Sequence, residues 1–213
     1  MTLQRTPAWR AARVGKVTAS RIGDVIARTK SGYAAARANY AAELICERLT
    51  GRPGESFVSG AMQWGIDQEA RALARYQFER DAEVRLVGFL DHPALPFAGA
   101  SPDGLVGEDG LVELKCPTTA THLGTLLGEA PPAKHLAQVQ WQMAVTGAAW
   151  CDLVSYDPRA PFELQVFIRR IQRDAAIIAA LEAEVTRFLA EIEAAVAKLR
   201  AARLHVSSPG MAA

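Results

Sequence analysis

Apolar positions recur at threes and fours over the first part of the chain, give way to alternation in the middle, and return at the end. Residues 18–28 are predicted to form a short helix, with Thr18 as N-cap and Ile22, Val25 and Ile26 on one face. Lys30-Ser31-Gly32 breaks it. A second helix is expected over 33–50, closed by Gly51 ahead of Arg52-Pro53-Gly54, and a third over 60–80. Extended structure is expected over 84–90, 97–100, 105–106 and 111–115. Asp91-His92-Pro93, Pro102-Asp103-Gly104 and Glu108-Asp109-Gly110 punctuate it. Cys116-Pro117 opens a loop-rich stretch that ends at Pro131-Pro132. A helix over 133–146 stops at Gly147, and 150–155 with 162–171 make a hairpin about Tyr156-Asp157-Pro158-Arg159.

The segment 174–203 reads as one long amphipathic helix. Its apolar stripe is Ile177, Leu181, Val185, Phe188, Ile192, Val196 and Leu199. The stripe is expected to pack on the protein's own sheet; use between subunits is the alternative. Residues 207–213 are expected to be a flexible tail. Without an internal repeat or linker, the expected fold class is α/β: a single domain over 1–206, with a central mixed β-sheet flanked by helices.

Half of the 213 residues are apolar and the formal net charge is +1. A sizeable core is therefore expected, and any positive potential for nucleic acid must be local. That disfavours a generic DNA-coating protein and keeps a cleft. Cys46, Cys116 and Cys151 are scattered, without a CxxC pair. They suit a reducing cytoplasm and fall short of the four thiolates of an iron–sulfur cluster. With no charged-then-apolar leader and no run near the ~20 residues of a membrane span, a soluble cytoplasmic protein with no membrane partner is expected.

The chemistry concentrates in Ser101-Pro102-Asp103-Gly104 and, nine residues after that glycine, Glu113-Leu114-Lys115. Alone, the first is a β-turn and the second an edge-strand ion pair. Together they form the acid, gap, acid–any–lysine pattern of a metal-dependent nuclease. A strand would put Glu113 and Lys115 on one face, and a loop of hairpin length would bring Asp103 beside them. Glu69 falls on the stripe of Met62, Ile66, Leu73 and Tyr76, where an unpaired carboxylate is costly. It reaches solvent at the stripe's edge, pairs with Arg71 or Arg75, or joins a cation held by Asp103 and Glu113. This oxygen-rich set suits magnesium, and the absence of an HxxxH or CxxC cluster counts against zinc. His92, His122, His135 and His205 are dispersed and read as surface or structural residues.

Two further groups carry alternatives. Gln138 and Gln142, four apart in the 133–146 helix beside Gln140, form either a solvated face or a neutral phosphate contact at the lip of an acidic site. Trp9-Arg10, Arg13, Lys16, Ser20 and Arg21 cluster about a helix start. They are either a basic solvated segment or a phosphate cradle.

In order along the chain, the series resembles the lambda-exonuclease family, the YqaJ-type viral recombinases of the PD-(D/E)XK nuclease superfamily. The matching pieces are Trp9-Arg10, Arg13-Val14-Gly15, Val17-Thr18-Ala19-Ser20, Trp64-Gly65 with Glu69, Ser101-Pro102-Asp103-Gly104-Leu105, Glu113-Leu114-Lys115-Cys116-Pro117, Gln138-Val139-Gln140 and Tyr156-Asp157-Pro158-Arg159. The resemblance implies a restriction-endonuclease-like nuclease domain over 1–206. Its activity would be a Mg2+-dependent exonuclease, with Mn2+ as substitute, that degrades the 5′-ended strand of linear double-stranded DNA and leaves 3′ tails for phage-type recombination. It implies metal ligands at Asp103, Glu113, the Leu114 carbonyl and Glu69, with a looser match at Asp91, and a catalytic lysine at Lys115. Arg13, Ser20, Ser101 and Gln138 match positions that grip the 5′-phosphate or adjacent backbone. A homotrimeric ring and a phage single-strand annealing protein are the implied partners. One departure concerns the basic residue that well-known members carry shortly after Lys-Cys-Pro. Thr118, Thr119 and Thr121 are uncharged here, and His122 is the nearest candidate. A RecB-like single-strand nuclease or endonuclease, or a catalytically silent DNA-end-binding module, are the alternative functions.

Overall fold

In the computed structural model, residues 4–54 and 59–206 are described. Thr6 caps helix α1 (Pro7–Arg13), accepting from the Trp9 N–H, with Pro7 at the first helical position. Strand β1 (Val17–Thr18) and a 3₁₀ turn (Ala19–Arg21) lead into helix α2 (Ile22–Ile26). The helix expected over 18–28 is thus reduced to its apolar centre. A small hairpin of β2 (Arg28–Thr29) and β3 (Gly32–Tyr33) takes over where Lys30-Ser31 turns. Helix α3 (Ala35–Thr50) ends, as expected, at Gly51, whose φ of 67° is the left-handed conformation glycine tolerates. Helix α4 (Gly60–Arg80) starts on a Ser59 hydroxyl cap.

The expected strand over 84–90 is two strands in two sheets. β4 (Val84–Arg85) pairs with β7 (Gly104–Val106), whereas β5 (Leu90–Asp91) pairs with β6 (Ala98–Ala100). Between them the chain crosses from one sheet to the other. Strand β8 (Gly110–Lys115) is followed by helix α5 (Thr119–Leu126), which the loop-rich reading omitted. Helix α6 (Ala133–Thr146) stops at Gly147, with φ 78°. Strands β9 (Trp150–Tyr156) and β10 (Val166–Gln172) pair antiparallel; Phe162–Leu164, expected as strand, is a 3₁₀ turn after Pro161. Helix α7 (Ala175–Val206) begins where the Asp174 carboxylate accepts from the Ala176 and Ile177 N–H groups. The tail assigned to 207–213 lies outside the described residues.

The main sheet has the order β10-β9-β8-β7-β4 and is mixed: β8 and β9 run parallel and the other neighbours antiparallel. A second sheet has the order β1-β6-β5. Helices cover both faces of the main sheet. On one face, Leu111, Cys151 and Leu153 pack against Val139 and Met143 of α6 and Ile178 of α7. On the other, Val112, Leu114 and Val154 pack against Ala72 and Tyr76 of α4. The largest cluster joins α2, α3, α6 and α7 and includes Leu181, Val185, Phe188, Ile192 and Val196. The terminal helix therefore packs on its own domain, using Ile178 and leaving Ile177 and Leu199 exposed.

Candidate active site

Alternation along β8 sends Leu111, Glu113 and Lys115 towards α6 and Val112 and Leu114 towards α4. Glu113 is almost fully buried. Its Oε1 accepts from Lys115 Nζ at 2.6 Å and Gln138 Nε2 at 2.5 Å, and its Oε2 from Gln142 Nε2 at 2.6 Å. Gln138 Oε1 in turn accepts from Lys115 Nζ at 3.0 Å. The glutamines are therefore not a solvated face. Gln138 and Gln142 form an amide cradle for one carboxylate. Gln140, on the opposite side of α6, accepts from the Asp174 N–H and donates to the Gln172 carbonyl.

Strand β7 begins at Gly104, opposite Val112, so the last residues of β8 have no strand neighbour on that side. Asp103 fills the gap, its Oδ2 accepting from the Leu114 N–H at 2.6 Å. A strand residue presents its N–H and C=O to the same side, so the Leu114 carbonyl leaves β8 towards Asp103 as well. Burial, then Glu113 and Glu69, push the Asp103 carboxyl well above the usual carboxylate range. The Leu114 N–H and Lys115 oppose that shift. Burial works against the Lys115 charge, but Glu113 and Asp103 outweigh it and raise its pKa. Lys115 is thus an ammonium at neutral pH, a donor and not a proton acceptor.

Glu69 faces the same cleft from α4. Its side chain is 34% exposed and forms an ion pair with Arg5, on the segment ahead of α1. The partner is neither Arg71 nor Arg75, and the expected stripe is shifted: Gln68, Ala72 and Tyr76 are buried while Met62 is exposed. Gln4 anchors the Arg5 segment by donating to the Pro102 carbonyl at 2.8 Å.

Arg13, Ser20, Ser101 and Gln138 line the cleft with Glu69, Asp103, Glu113, Leu114 and Lys115. The Trp9 indole N–H donates to Ser101 Oγ at 2.9 Å, and the Arg13 guanidinium lies 4.1 Å from the Trp9 ring centre. Sequence reasoning missed Arg5 and the cleft-lining Lys134 and His135. Burial, Lys115 and Lys134 push His135 down to about 4, so its ring is neutral at physiological pH. Among the described residues no carboxylate lies within ion-pair distance of Arg13 or Lys134, which leaves both cations free for an anion.

Two sequence-based assignments do not hold. Asp91 is absent from the cleft lining; it is 68% exposed at the edge of the second sheet and pairs with Lys16 at 2.6 Å. Its strand partner is Gly99, four residues short of Asp103, so the β5–β6 register carries it away from the other acids. His122 is fully buried, bonded to Ser155 Oγ at 2.8 Å and the Leu164 carbonyl at 2.7 Å, and is not available to a phosphate. His92 is structural as expected: its Nδ1 accepts from the Ala94 and Leu95 N–H groups. The side chain of His205 is outside the described residues.

The donor set fits a hard divalent cation better than a soft one. Two carboxylates and a backbone carbonyl converge, and burial raises the Cys116 thiol to about 12 and the Cys151 thiol well above its usual range. Among the described residues no three His, Cys, Asp or Glu side chains stand close enough to hold an ion by themselves. The Leu114 carbonyl, substrate oxygens and water would complete the shell, as is usual for magnesium.

Residues 8–149 match the YqaJ-like viral recombinase domain, and the chain belongs to that family. Two crystal structures share 50% identity with it, cover 95% of this chain and all of their own, and superpose with a TM-score of 0.88. One is LHK-Exo in complex with dAMP, the other an alkaline exonuclease, LHK-Exo, from Laribacter hongkongensis. A phage-related exonuclease from Haemophilus somnus 129PT has the same fold at 14% identity, with a TM-score of 0.66 over 86% of this chain and 96% of that one. No curated protein matches the chain.

Proposed function

We propose that this protein is a magnesium-dependent exonuclease that removes nucleotides from the 5′-ended strand of linear double-stranded DNA and leaves 3′ single-stranded tails. The observation that carries the reading is the placement of Asp103, Glu113 and Lys115 at one end of β8, on the floor of a cleft where Arg13 and Lys134 have no carboxylate partner among the described residues. Family membership and 50% identity to an alkaline exonuclease support it.

Asp103, Glu113 and the Leu114 carbonyl would hold Mg2+, or Mn2+ in its place, with Glu69 reaching the same region from α4. The cation's chemistry there is to polarise a phosphoryl oxygen and to lower the pKa of a bound water. Lys115, fixed between Glu113 and Gln138, would orient the attacking water and offset the negative charge that develops on the phosphate. Gln138 bonds both ends of the Glu113–Lys115 pair and so fixes their relative orientation. Arg13 and the hydroxyls of Ser20 and Ser101 receive the terminal 5′-phosphate, with Trp9 holding Ser101 in place.

Assembly into a homotrimeric ring and work beside a phage single-strand annealing protein are part of the same proposal and rest on the family likeness. A cytoplasmic setting fits the free Cys46, Cys116 and Cys151. No described helix is long and apolar enough to cross a membrane. The test is digestion of a 5′-phosphorylated linear duplex labelled at one end or the other, with Mg2+ or with chelator. The 5′ label is expected to be released first, only with Mg2+, and at least about a hundredfold more slowly by Lys115→Ala. Cutting of a covalently closed circle, or wild-type digestion by Asp103→Ala, would overturn the reading.

A further inference from the structure

The turn that follows β9 holds a charged pair with no part in the chemistry above. Asp157 is fully buried, and a carboxylate removed from water needs dedicated donors. Arg159 supplies most of them. Its backbone N–H donates to Asp157 Oδ1 at 3.0 Å, its Nε to the same oxygen at 2.7 Å, and its Nη2 to Oδ2 at 3.1 Å. Thr119, at the start of α5, adds a side-chain hydrogen bond to the same carboxylate. The fork is two-pronged, which fixes the plane of the guanidinium as well as its position.

The guanidinium so held reaches two other elements. Its Nη2 also donates to the Pro117 carbonyl at 3.2 Å, two residues beyond Lys115. Its centre lies 4.5 Å from the Trp64 ring centre on α4, five residues before Glu69. β8 and α4 carry the two sides of the cleft, and Arg159 itself does not line it.

We propose that Arg159, locked by Asp157, is a positioning residue that sets the spacing between the Lys115 and Glu69 sides of the cleft through the Pro117 carbonyl and the Trp64 ring. It touches neither the DNA nor the ion. A surface arginine bonded only to a carboxylate would contribute little; this one joins three elements at once, and a lysine could not reproduce the fork and the stacked plane together. The proposal rests on the nuclease reading for its kinetic consequence but not for its structural one.

The experiment compares wild type, Arg159→Ala and Arg159→Lys by steady-state digestion of linear duplex, Mn2+ calorimetry, thermal melting and amide hydrogen exchange. For Arg159→Ala, kcat should fall about tenfold with KM for DNA within twofold, and Mn2+ should bind several-fold more weakly. Exchange should quicken in peptides spanning 113–118 and 62–70, with the remaining sheet unchanged. Arg159→Lys should recover less than half of the lost kcat. Wild-type kcat, Mn2+ affinity and exchange in Arg159→Ala would overturn the clamp, as would a loss seen wholly as a lower melting temperature with wild-type kcat for the folded fraction. A wild type that digests nothing overturns the nuclease reading instead. In that case the exchange pattern decides the clamp: local quickening supports it and its absence ends it.

Discussion

The two sides of the cleft are built differently. Glu113 is buried and held from three directions by Lys115, Gln138 and Gln142, all on β8 and α6 within the packed centre of the domain. Glu69 is partly exposed and its ion-pair partner is Arg5, on a segment that precedes the first helix. Glu113 is paired with the Lys115 ammonium and also oriented by two neutral amides that do not compete for its charge. Glu69 has its ion pair with Arg5 but no such cradle among the described residues. On the proposed reading, the amide cradle would fix where a cation binds, while the Arg5 pair would keep the opposite acid neutralised until that cation arrives.

Of the changes that set the two sides apart, loss of one cradle amide should have the largest effect. Gln142→Ala leaves Glu113 Oε2 without its donor, and a lost partner of a metal ligand typically costs 10- to 100-fold in metal affinity or activity. Steady-state digestion and Mn2+ calorimetry of the folded variant should both show it. Wild-type values in both would mean that the two sides do not differ as described.

The next effect in size comes from pH. Asp103 holds its proton to higher pH in the folded chain than in the unfolded one, because burial, Glu113 and Glu69 disfavour its charge. The stability this gives the ion-free protein is complete below the unfolded carboxylate pKa and is lost as pH rises through the raised one. Cation binding requires the ionised form, so Mn2+ affinity should rise with pH by up to about tenfold per unit for each proton released. Calorimetry in buffers of different ionisation enthalpy counts those protons; an affinity flat with pH would contradict it.

The Arg5 side should respond least, and in the opposite direction. Arg5→Ala removes a competitor from Glu69, and a pair this exposed is worth about 0.2 to 1 kcal/mol, so Mn2+ should bind up to about fivefold more tightly. Weaker binding would mean that Arg5 supports the ion site and does not compete for it.

Much of this was legible because local chemistry reports local structure. Gly51 and Gly147 stop their helices where a left-handed residue is needed, and the period of two placed Glu113 and Lys115 on one face. The cradle was legible too, had α6 been read as apolar all round: after Lys134 and His135 it carries no charge, and Val139, Trp141, Met143 and Val145 leave its glutamines no solvated face. Thr6 followed by Pro7 was likewise an unread helix start. Other features were not local. Arg5 and Glu69 are 64 residues apart, and no periodicity links them. The break between β4 and β5 depends on which sheet each half joins. Helix α5 is threonine-rich with a central glycine, so intrinsic propensity spoke against it. It forms because the Thr118 hydroxyl caps it and the buried His122 ties it to Ser155 and Leu164.

The central claim is that Asp103, Glu113 and the Leu114 carbonyl form one cation site. Anomalous diffraction from a crystal soaked in Mn2+ tests it most directly. A peak within bonding distance of both carboxylates and that carbonyl is the predicted result. A protein that digests linear DNA with Mn2+ while its manganese binds elsewhere, with none beside Asp103 and Glu113, would contradict it.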